Sequence, residues 1–268
     1  MPQPDWVTAQ VDIERPSAAR MYDYYLGGSH NFAADRQLAD RGARLWPELP
    51  GIMRANRAFL TRAVRHLAQQ GIRQFIDLGS GIPTVGNVHE IARTIEPDAR
   101  VVYVDIDPVA VAHSRAILAD APHTVVLHAD VRKPDAILDD PALRGLIDLD
   151  RPVGLLVVAL MHFIPDSDDP HQLVGRYREA LSPGSHLVLS HFSNEGDPEQ
   201  VDGLLRLSRA TPTPLALRPR AAVTRFFDGL ELVEPGVVYL PEWRPEEPLD
   251  PGDRPERYND FCGVGRKR

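Results

Sequence analysis

Phe75-Ile76-Asp77-Leu78-Gly79-Ser80-Gly81 is the stretch from which the fold can be read. A short apolar run that ends in Gly-x-Gly and gives way to a helical pattern has the form of a strand, a tight turn and a helix. Because glycine carries no side chain, such a turn is expected to set bare backbone N–H groups against a ligand. A dinucleotide fingerprint would place a third glycine at position 84, where Thr84 stands, and an acid on the second strand roughly 20 residues on. Instead, Pro83 stiffens the turn and an acid, Asp77, precedes the glycines inside the strand end. A purely structural turn could use two glycines in the same way, so the neighbouring strands have to decide.

Outward from this turn, short β-branched runs alternate with helical patterns, the mark of βαβ units on a parallel sheet. Strands are expected at Arg73–Leu78, Arg100–Asp105, Thr124–His128, Val153–Leu160 and Ser185–His191. These runs are nearly continuous in apolar residues, as strands covered by helices on both faces require. Helices are expected near Val85–Ile95, Pro108–Ala119, Asp135–Leu143 and His171–Leu181, the last stopped by Pro183-Gly184. Residues 1–71 show no strand pattern and read as three helices: Ser17 to Leu26, Asn31 to Leu45 with Asn31 as N-cap, and Gly51 to Gln70. The C-terminal part adds helices near Val201–Ala210 and Pro219–Phe227. Strands follow at Leu230–Glu234, Val237–Leu240 and Tyr258–Val264, with a proline-rich surface loop over Pro241–Pro255. The division expected along the chain is a helical cap over 1–71 and an integrated α/β core over 72–268.

Composition narrows the class. At 268 residues with 43% hydrophobic and 25% charged residues, the chain reads as one soluble α/β domain. The net charge of −8 speaks against nucleic acid as a partner, since a phosphate backbone needs a basic footprint. No apolar run approaches the roughly 18–20 residues of a membrane span. Met1-Pro2-Gln3-Pro4-Asp5 does not read as a signal peptide, and the single cysteine, Cys262, allows no internal disulfide. A cytoplasmic location is the expectation.

Three successive strands close on an acid. The second ends in Asp105, followed by Ile106-Asp107-Pro108, with Asp107 suited to cap the next helix and Asp105 left to accept the two hydroxyls of a ribose. The third ends in Asp130, before Val131 and Arg132. In a parallel sheet, all three acids lie at the carboxyl edge, where ligands bind. No zinc pattern appears among ten scattered histidines, and no metal site is expected. Asp166, Asp168 and Asp169 could chelate a cation or cap the following helix. Neither a Gly-x-Ser-x-Gly elbow nor a Gly-Lys-Ser/Thr phosphate loop is present.

Asp-x-Gly-x-Gly resembles motif I of class I S-adenosylmethionine-dependent methyltransferases. Met161-His162-Phe163-Ile164-Pro165-Asp166 resembles a segment that small-molecule members carry beside the methyl group. Pro16-Ser17-Ala18-Ala19-Arg20-Met21-Tyr22-Asp23-Tyr24-Tyr25-Leu26-Gly27-Gly28 with Asn31-Phe32-Ala33-Ala34-Asp35, the run Gly81 to Glu90, and Val104-Asp105-Ile106-Asp107-Pro108 are more specific. Together they resemble a bacterial family once listed as a domain of unknown function and later renamed S-adenosyl methyltransferase, over about Pro16 to Lys267. The resemblance implies a doubly wound, Rossmann-like sheet of seven strands, the last antiparallel, under an N-terminal helical cap. It also implies S-adenosyl-L-methionine as cofactor.

On that resemblance Asp77, Gly79, Ser80 and Gly81 would handle the methionyl end, and Asp105 with Ile106 the ribose side. Asp130 would reach the adenine amino group, Val131 would offer a backbone N–H to the ring, and Ala159 with His162 would lie near the methyl group. Tyr22 and Tyr25, three apart on one helical face, would either form an aromatic pair over the cationic sulfonium, worth on the order of 0.5–2 kcal/mol, or pack the helix onto the core; Asn31 and Phe32 complete the implied set. His162 is either a general base or a wall residue that holds its loop. Methyl transfer from a sulfonium is an in-line displacement whose leaving group needs no proton, so a conspicuous acid–base pair is not required. The acidic charge and a helical cap suited to enclosing a ligand point to a small-molecule acceptor, which the family itself does not identify, and the assembly is left open between monomer and homodimer. Two other readings stand beside this one: a non-catalytic protein that binds the cofactor or its product, and an NAD(P)-dependent oxidoreductase.

Overall fold

From residue 74 onward the chain alternates strand and helix, as its hydrophobic pattern predicts. The computed structural model describes residues 12–83, 86–250 and 252–268. In chain order the elements are α1 Ala18–Tyr25, α2 Ala33–Leu45, α3 Leu49–Gln69, β1 Gln74–Leu78, α4 Val88–Arg93, β2 Arg100–Asp105, α5 Pro108–Ile117, β3 Thr124–His128, α6 Pro134–Leu138 and α7 Pro141–Leu146. They continue with β4 Gly154–Val158, α8 Pro170–Glu179, β5 His186–Phe192, α9 Pro198–Ser208, α10 Arg220–Arg225, β6 Glu231–Leu232, β7 Val238–Tyr239 and β8 Asp260–Arg266. Thr84 and Val85, where the sequence places the third-glycine position and the start of the fourth helix, lie outside the described residues.

The sheet runs β3-β2-β1-β4-β5-β8-β6, with β7 also on β8. β1 to β5 are mutually parallel, whereas β8 is antiparallel to β5. β6 pairs with Gly265 and Arg266, and β7 with Phe261 and Cys262, along the same edge of β8. The two are one interrupted strand. Eight segments therefore fill seven sheet positions, the number the sequence implies, with the last strand of the chain antiparallel.

Alternate strand residues feed two cores. Ile76, Val102, Leu155 and Leu187 meet α7, α8 and the α10 end on one face; Phe75, Val101, Leu156 and Val188 meet α3 and α4 on the other. α3 is thus part of a sheet layer, with Phe59 and Leu67 wholly buried, and α1 and α2 rest on it. The expected division at residue 71 separates stretches of chain; it does not separate hydrophobic cores.

Helix starts follow a local rule. Asp107-Pro108, Asp140-Pro141, Asp169-Pro170 and Asp197-Pro198 each place an aspartate whose carboxylate accepts backbone N–H groups of the first turn, and a proline that has no N–H to satisfy. The same rule splits the expected helix Asp135–Leu143 in two, because Asp140-Pro141 begins a new one. Asp169 has this capping role and Asp168 pairs with Arg132. Among the described residues no cluster of metal-ligating side chains occurs, and no helix is long and apolar enough to cross a membrane. The loop over 241–255 is exposed for the most part, but Trp243 is fully buried against Phe59, and Arg62 holds the Leu240 and Trp243 carbonyls.

The N-terminal segment is wired by two buried acids. Asp35 accepts the Ser17 N–H (2.9 Å), the Phe32 N–H (2.8 Å) and Arg20 Nε (2.9 Å). The cap of α2 therefore lies at Phe32, one residue beyond the expected Asn31, with Asp35 reaching back to it. Asp23 accepts the His30 N–H and Asn31 Nδ2, and a Cβ on Gly28 would stand 2.0 Å from its Oδ1, which is why this turn needs a glycine. Asp35→Asn is expected to lower the unfolding free energy by roughly 3 kcal/mol or more, because it strands a buried guanidinium. Urea unfolding at neutral pH measures this, and a loss below about 1 kcal/mol would contradict the assignment.

Candidate functional site

The turn after β1 sits at the carboxyl edge of the sheet, between β2 and β4. Gly79 (φ +68°) and Gly81 (φ +66°) take left-handed conformations that favour glycine. At Gly79 a Cβ would also stand 2.6 Å from Leu160 Cδ1, while above Gly81 a Cβ would meet nothing within 4 Å. The turn is packed at its base and open at its tip. Its backbone N–H groups are not bare, contrary to the sequence expectation. Gly79 N (2.8 Å) and Ser80 N (3.1 Å) both donate to the Val104 carbonyl, and Gly81 N donates to Asp105 Oδ2 (2.7 Å). The parallel neighbour β2 ends level with the turn and takes these donors.

Asp105 therefore joins two loops, since its other oxygen accepts the Asp107 N–H (2.8 Å). The carboxylate, which the Ile106 N–H also approaches, keeps acceptor capacity for a ligand hydroxyl. Asp107 caps α5 as expected, and its second oxygen receives the Ser17 hydroxyl of the N-terminal segment. Burial pushes the Asp77 carboxyl up to about 7; Asp105 nearby adds to the shift and Arg57 opposes it. Burial likewise lifts Asp105 to about 6 against the N–H groups that it accepts.

A small open pocket lies here, with Arg57, Asp77, Ser80, Gly81, Asn87 and Tyr103 in its wall. Ser80 Oγ is buried and has no hydrogen-bond partner among the described residues. The mouth of α4 is closed from within, because the Glu90 carboxylate accepts the Asn87 N–H (2.8 Å). Arg57 belongs to α3 and also stands over the Tyr22 ring at 5.8 Å.

The remaining sequence-predicted residues divide. Asp130 is gripped by Arg132, whose Nη2 lies at 2.7 Å and whose Nε lies at 3.0 and 3.1 Å from the two oxygens; this guanidinium holds the carboxyl below its usual range. Val131 is buried and its carbonyl accepts the Tyr177 hydroxyl, while Ile106 is half exposed at 51%. Ala159 closes β4 with φ +54°, and its N–H donates to Ser190 Oγ (2.9 Å). His162 is wholly buried on a short 3-10 turn; its Nδ1 accepts the Phe192 N–H (3.2 Å) and burial drives its pKa far down. That geometry matches the wall residue of the two readings, because the lone pair a base would use is engaged.

The tyrosine pair is not a pair. Tyr22 reaches α3, its hydroxyl donating to the Met53 carbonyl and accepting from Asn56, while Tyr25 reaches α2 and donates to the Ala39 carbonyl. α1 lies between two helices, so residues three apart meet different neighbours. Asn31 and Phe32 belong to the turn held by Asp23 and Asp35. Arg57, Asn56 and Ser190 were not legible as site residues. Arg57 is one of many arginines, and only the tertiary fold brings α3 and β5 to the turn. Arg218, also missed, is buried and holds the loop after β4 through the Met161 and Ile164 carbonyls, Asp166 and His191.

The S-adenosyl methyltransferase family model matches residues 4–268. A structure from Thermobifida fusca, assigned provisionally as a methyltransferase, is 44% identical with a TM-score of 0.93, covering 99% of this chain and 100% of that one. A DUF574 family protein from Streptomyces avermitilis is 45% identical with a TM-score of 0.92, covering 96% and 99%. An O-methyltransferase family protein from Burkholderia thailandensis shares the fold at 12% identity and a TM-score of 0.51, over 95% of this chain and 64% of that one. No protein of curated function matches the chain in sequence.

Both raised carboxyls make the stability of the fold sensitive to pH. Unfolded, an aspartate titrates near 4, so between there and the folded values the folded state holds more protons; the stability this gives is full in acid and is lost as pH rises through about 6 to 7. Asp77→Asn removes one share of the loss. Urea unfolding from about pH 4.5 to about pH 7.5 should show the variant gaining on the wild type by on the order of 1–3 kcal/mol. Taking the difference cancels the buried His113, His186 and His191, whose depressed pKa values act in the opposite sense. Parallel curves would refute the assignment.

Proposed function

We propose that this chain, which belongs to the S-adenosyl methyltransferase family, holds S-adenosylmethionine against the Asp77–Gly81 turn and directs its methyl group to a small-molecule acceptor. The observation that carries this reading is the state of the turn's donors. Gly79, Ser80 and Gly81 give their N–H groups to β2, and Glu90 occupies the mouth of α4. A pyrophosphate needs such donors and would meet Asp77 and Asp105 instead. A nucleoside with a sulfonium and an ammonium group suits the same acids.

Within this reading, the Asp77 carboxylate faces the methionyl ammonium, Arg57 its carboxylate, and the Ser80 hydroxyl gains the partner it lacks. Asp105 offers its remaining lone pairs to the ribose hydroxyls. Ile106 and Val131 flank the base, and Asp130 reaches the adenine amino group by releasing one contact of Arg132. When bound, the cofactor supplies an electrophilic methyl carbon: the acceptor's lone pair forms the new bond as the carbon–sulfur pair returns to sulfur, and the acceptor's proton leaves to solvent or a base. The chain contributes position. His162 and Arg218 fix the loop after β4 along which the acceptor lies. A small acceptor fits a protein of net charge −8, and a cytoplasmic location goes with a single buried cysteine.

Calorimetric titration with S-adenosylmethionine, S-adenosylhomocysteine and NAD tests the reading. The first two should bind and NAD should not, with Asp105→Ala and Arg57→Met each weakening binding by about tenfold or more. Near pH 6.5, binding of the sulfonium should release a proton, because a cation beside Asp77 favours its charged form; titrations in buffers of different ionisation enthalpy read this. Tight NAD binding with no response to the sulfonium would overturn the proposal.

A further inference from the structure

A run of hydrogen bonds, buried at Asn56–Ser190 and part-buried on either side, crosses from the N-terminal helices to the end of β4. Tyr22 on α1 donates to the Met53 carbonyl (3.1 Å) and accepts from Asn56 Nδ2 (3.0 Å). Asn56 Oδ1 accepts the Ser190 hydroxyl of β5 (2.6 Å), and Ser190 Oγ accepts the Ala159 N–H (2.9 Å). The end groups fix every direction. An amide N–H can only donate, so the Ser190 proton goes to Asn56; a carbonyl can only accept, so the Tyr22 proton goes to Met53. Asn56 is 3% exposed and Ser190 0%. Asn56 stands among Ile52, Met53, Phe59 and Leu60 on a helix face that is otherwise apolar, where an amide is tolerated only when satisfied.

The run ends on a strained residue. Ala159 has φ +54°, a conformation that glycine takes freely and an L-residue takes under strain. Its neighbour Leu160 lies against Gly79, its Cδ1 where a Cβ would be 2.6 Å away. A slip of Ala159 toward ordinary strand geometry would move Leu160 and remove the packing under the turn.

We propose that Asn56 and Ser190 are positioning residues: they hold Ala159 in its left-handed conformation, so that Leu160 supports the Gly79 turn and the seating of Tyr22 is coupled to the cofactor site. The proposal rests on the reading that this turn holds S-adenosylmethionine. Two observations set it apart from general core packing. The conformation held is one that alanine does not favour, and the chain of donors would be cheaper to replace with apolar contacts if shape alone were needed.

Glycine at 159 provides the test. Ser190→Ala should speed backbone hydrogen exchange in the peptide covering about residues 157–163 by tenfold or more and weaken S-adenosylhomocysteine binding by a similar factor, with the unfolding midpoint held within a few degrees. Ser190→Thr should behave as wild type. Ala159→Gly added to Ser190→Ala should restore affinity to within about threefold, because glycine needs no hydrogen bond to stay at positive φ. Unchanged exchange and affinity in Ser190→Ala would overturn the proposal. So would a folded Ser190→Ala whose lost affinity the glycine does not recover. Should the wild type bind neither sulfonium nor thioether, the functional reading fails, and the exchange measurement alone still decides whether Ser190 holds Ala159.

Discussion

One carboxylate organises the edge of this sheet. Asp105 takes the Gly81 N–H on one oxygen and the Asp107 N–H on the other, so the turn leaving β1 and the turn leaving β2 are fixed to a common point. Asp107, thus placed, caps α5 and receives Ser17 from the N-terminal segment. Without Asp105 the Gly81 N–H would be left without its acceptor and the tip of the turn would lose its support. The residue assigned to the ribose is accordingly structural before any ligand arrives. Its two roles are compatible because an ionised carboxylate has four acceptor sites and the backbone N–H groups of Gly81, Asp107 and Ile106 do not use them all.

The same edge gathers negative charge under conditions that disfavour it. Asp77 and Asp105 are both raised by burial; Asp105 adds to the shift of Asp77, which Arg57 opposes, and Asp107 adds to that of Asp105. Burial makes the charged form of each costly. The shifted carboxyls and the orphaned Ser80 hydroxyl are therefore related observations. Each marks a place where the chain's own groups fall short and a ligand with matching polarity would fit.

Much of this was legible in the sequence, and the limits have physical causes. Strand positions were readable because buried parallel strands are continuous apolar runs, and the acids that close β1, β2 and β3 could be counted from them. Helix starts were readable wherever Asp-Pro stood, although the pair at Asp140-Pro141 had to be recognised as a break inside an apparent helix. Side-chain partners were less accessible. Arg132 lies two residues from Asp130 and folds back onto it, a competition that strand-end spacing does not reveal. The N–H groups of the turn appeared free because local sequence cannot show that β2 ends where they point. Asn56, Arg57 and Ser190 come from an apolar helix and a buried strand, and only packing brings them to the turn.

Tyr22 illustrates how a correct position can carry a different role. An aromatic residue over a cation was expected, and the ring does carry one: the Arg57 guanidinium, 5.8 Å from its centroid. The hydroxyl is engaged on both sides, toward Met53 and Asn56. Ring and hydroxyl together fix two successive residues of α3, one in the cavity wall and one in the run that reaches Ala159. The aromatic residue of the N-terminal segment thus acts on the site through α3, positioning the positive charge that balances Asp77. An aromatic side chain can serve a charged ligand by holding its counter-charge as well as by touching it, and in this chain the geometry favours the former.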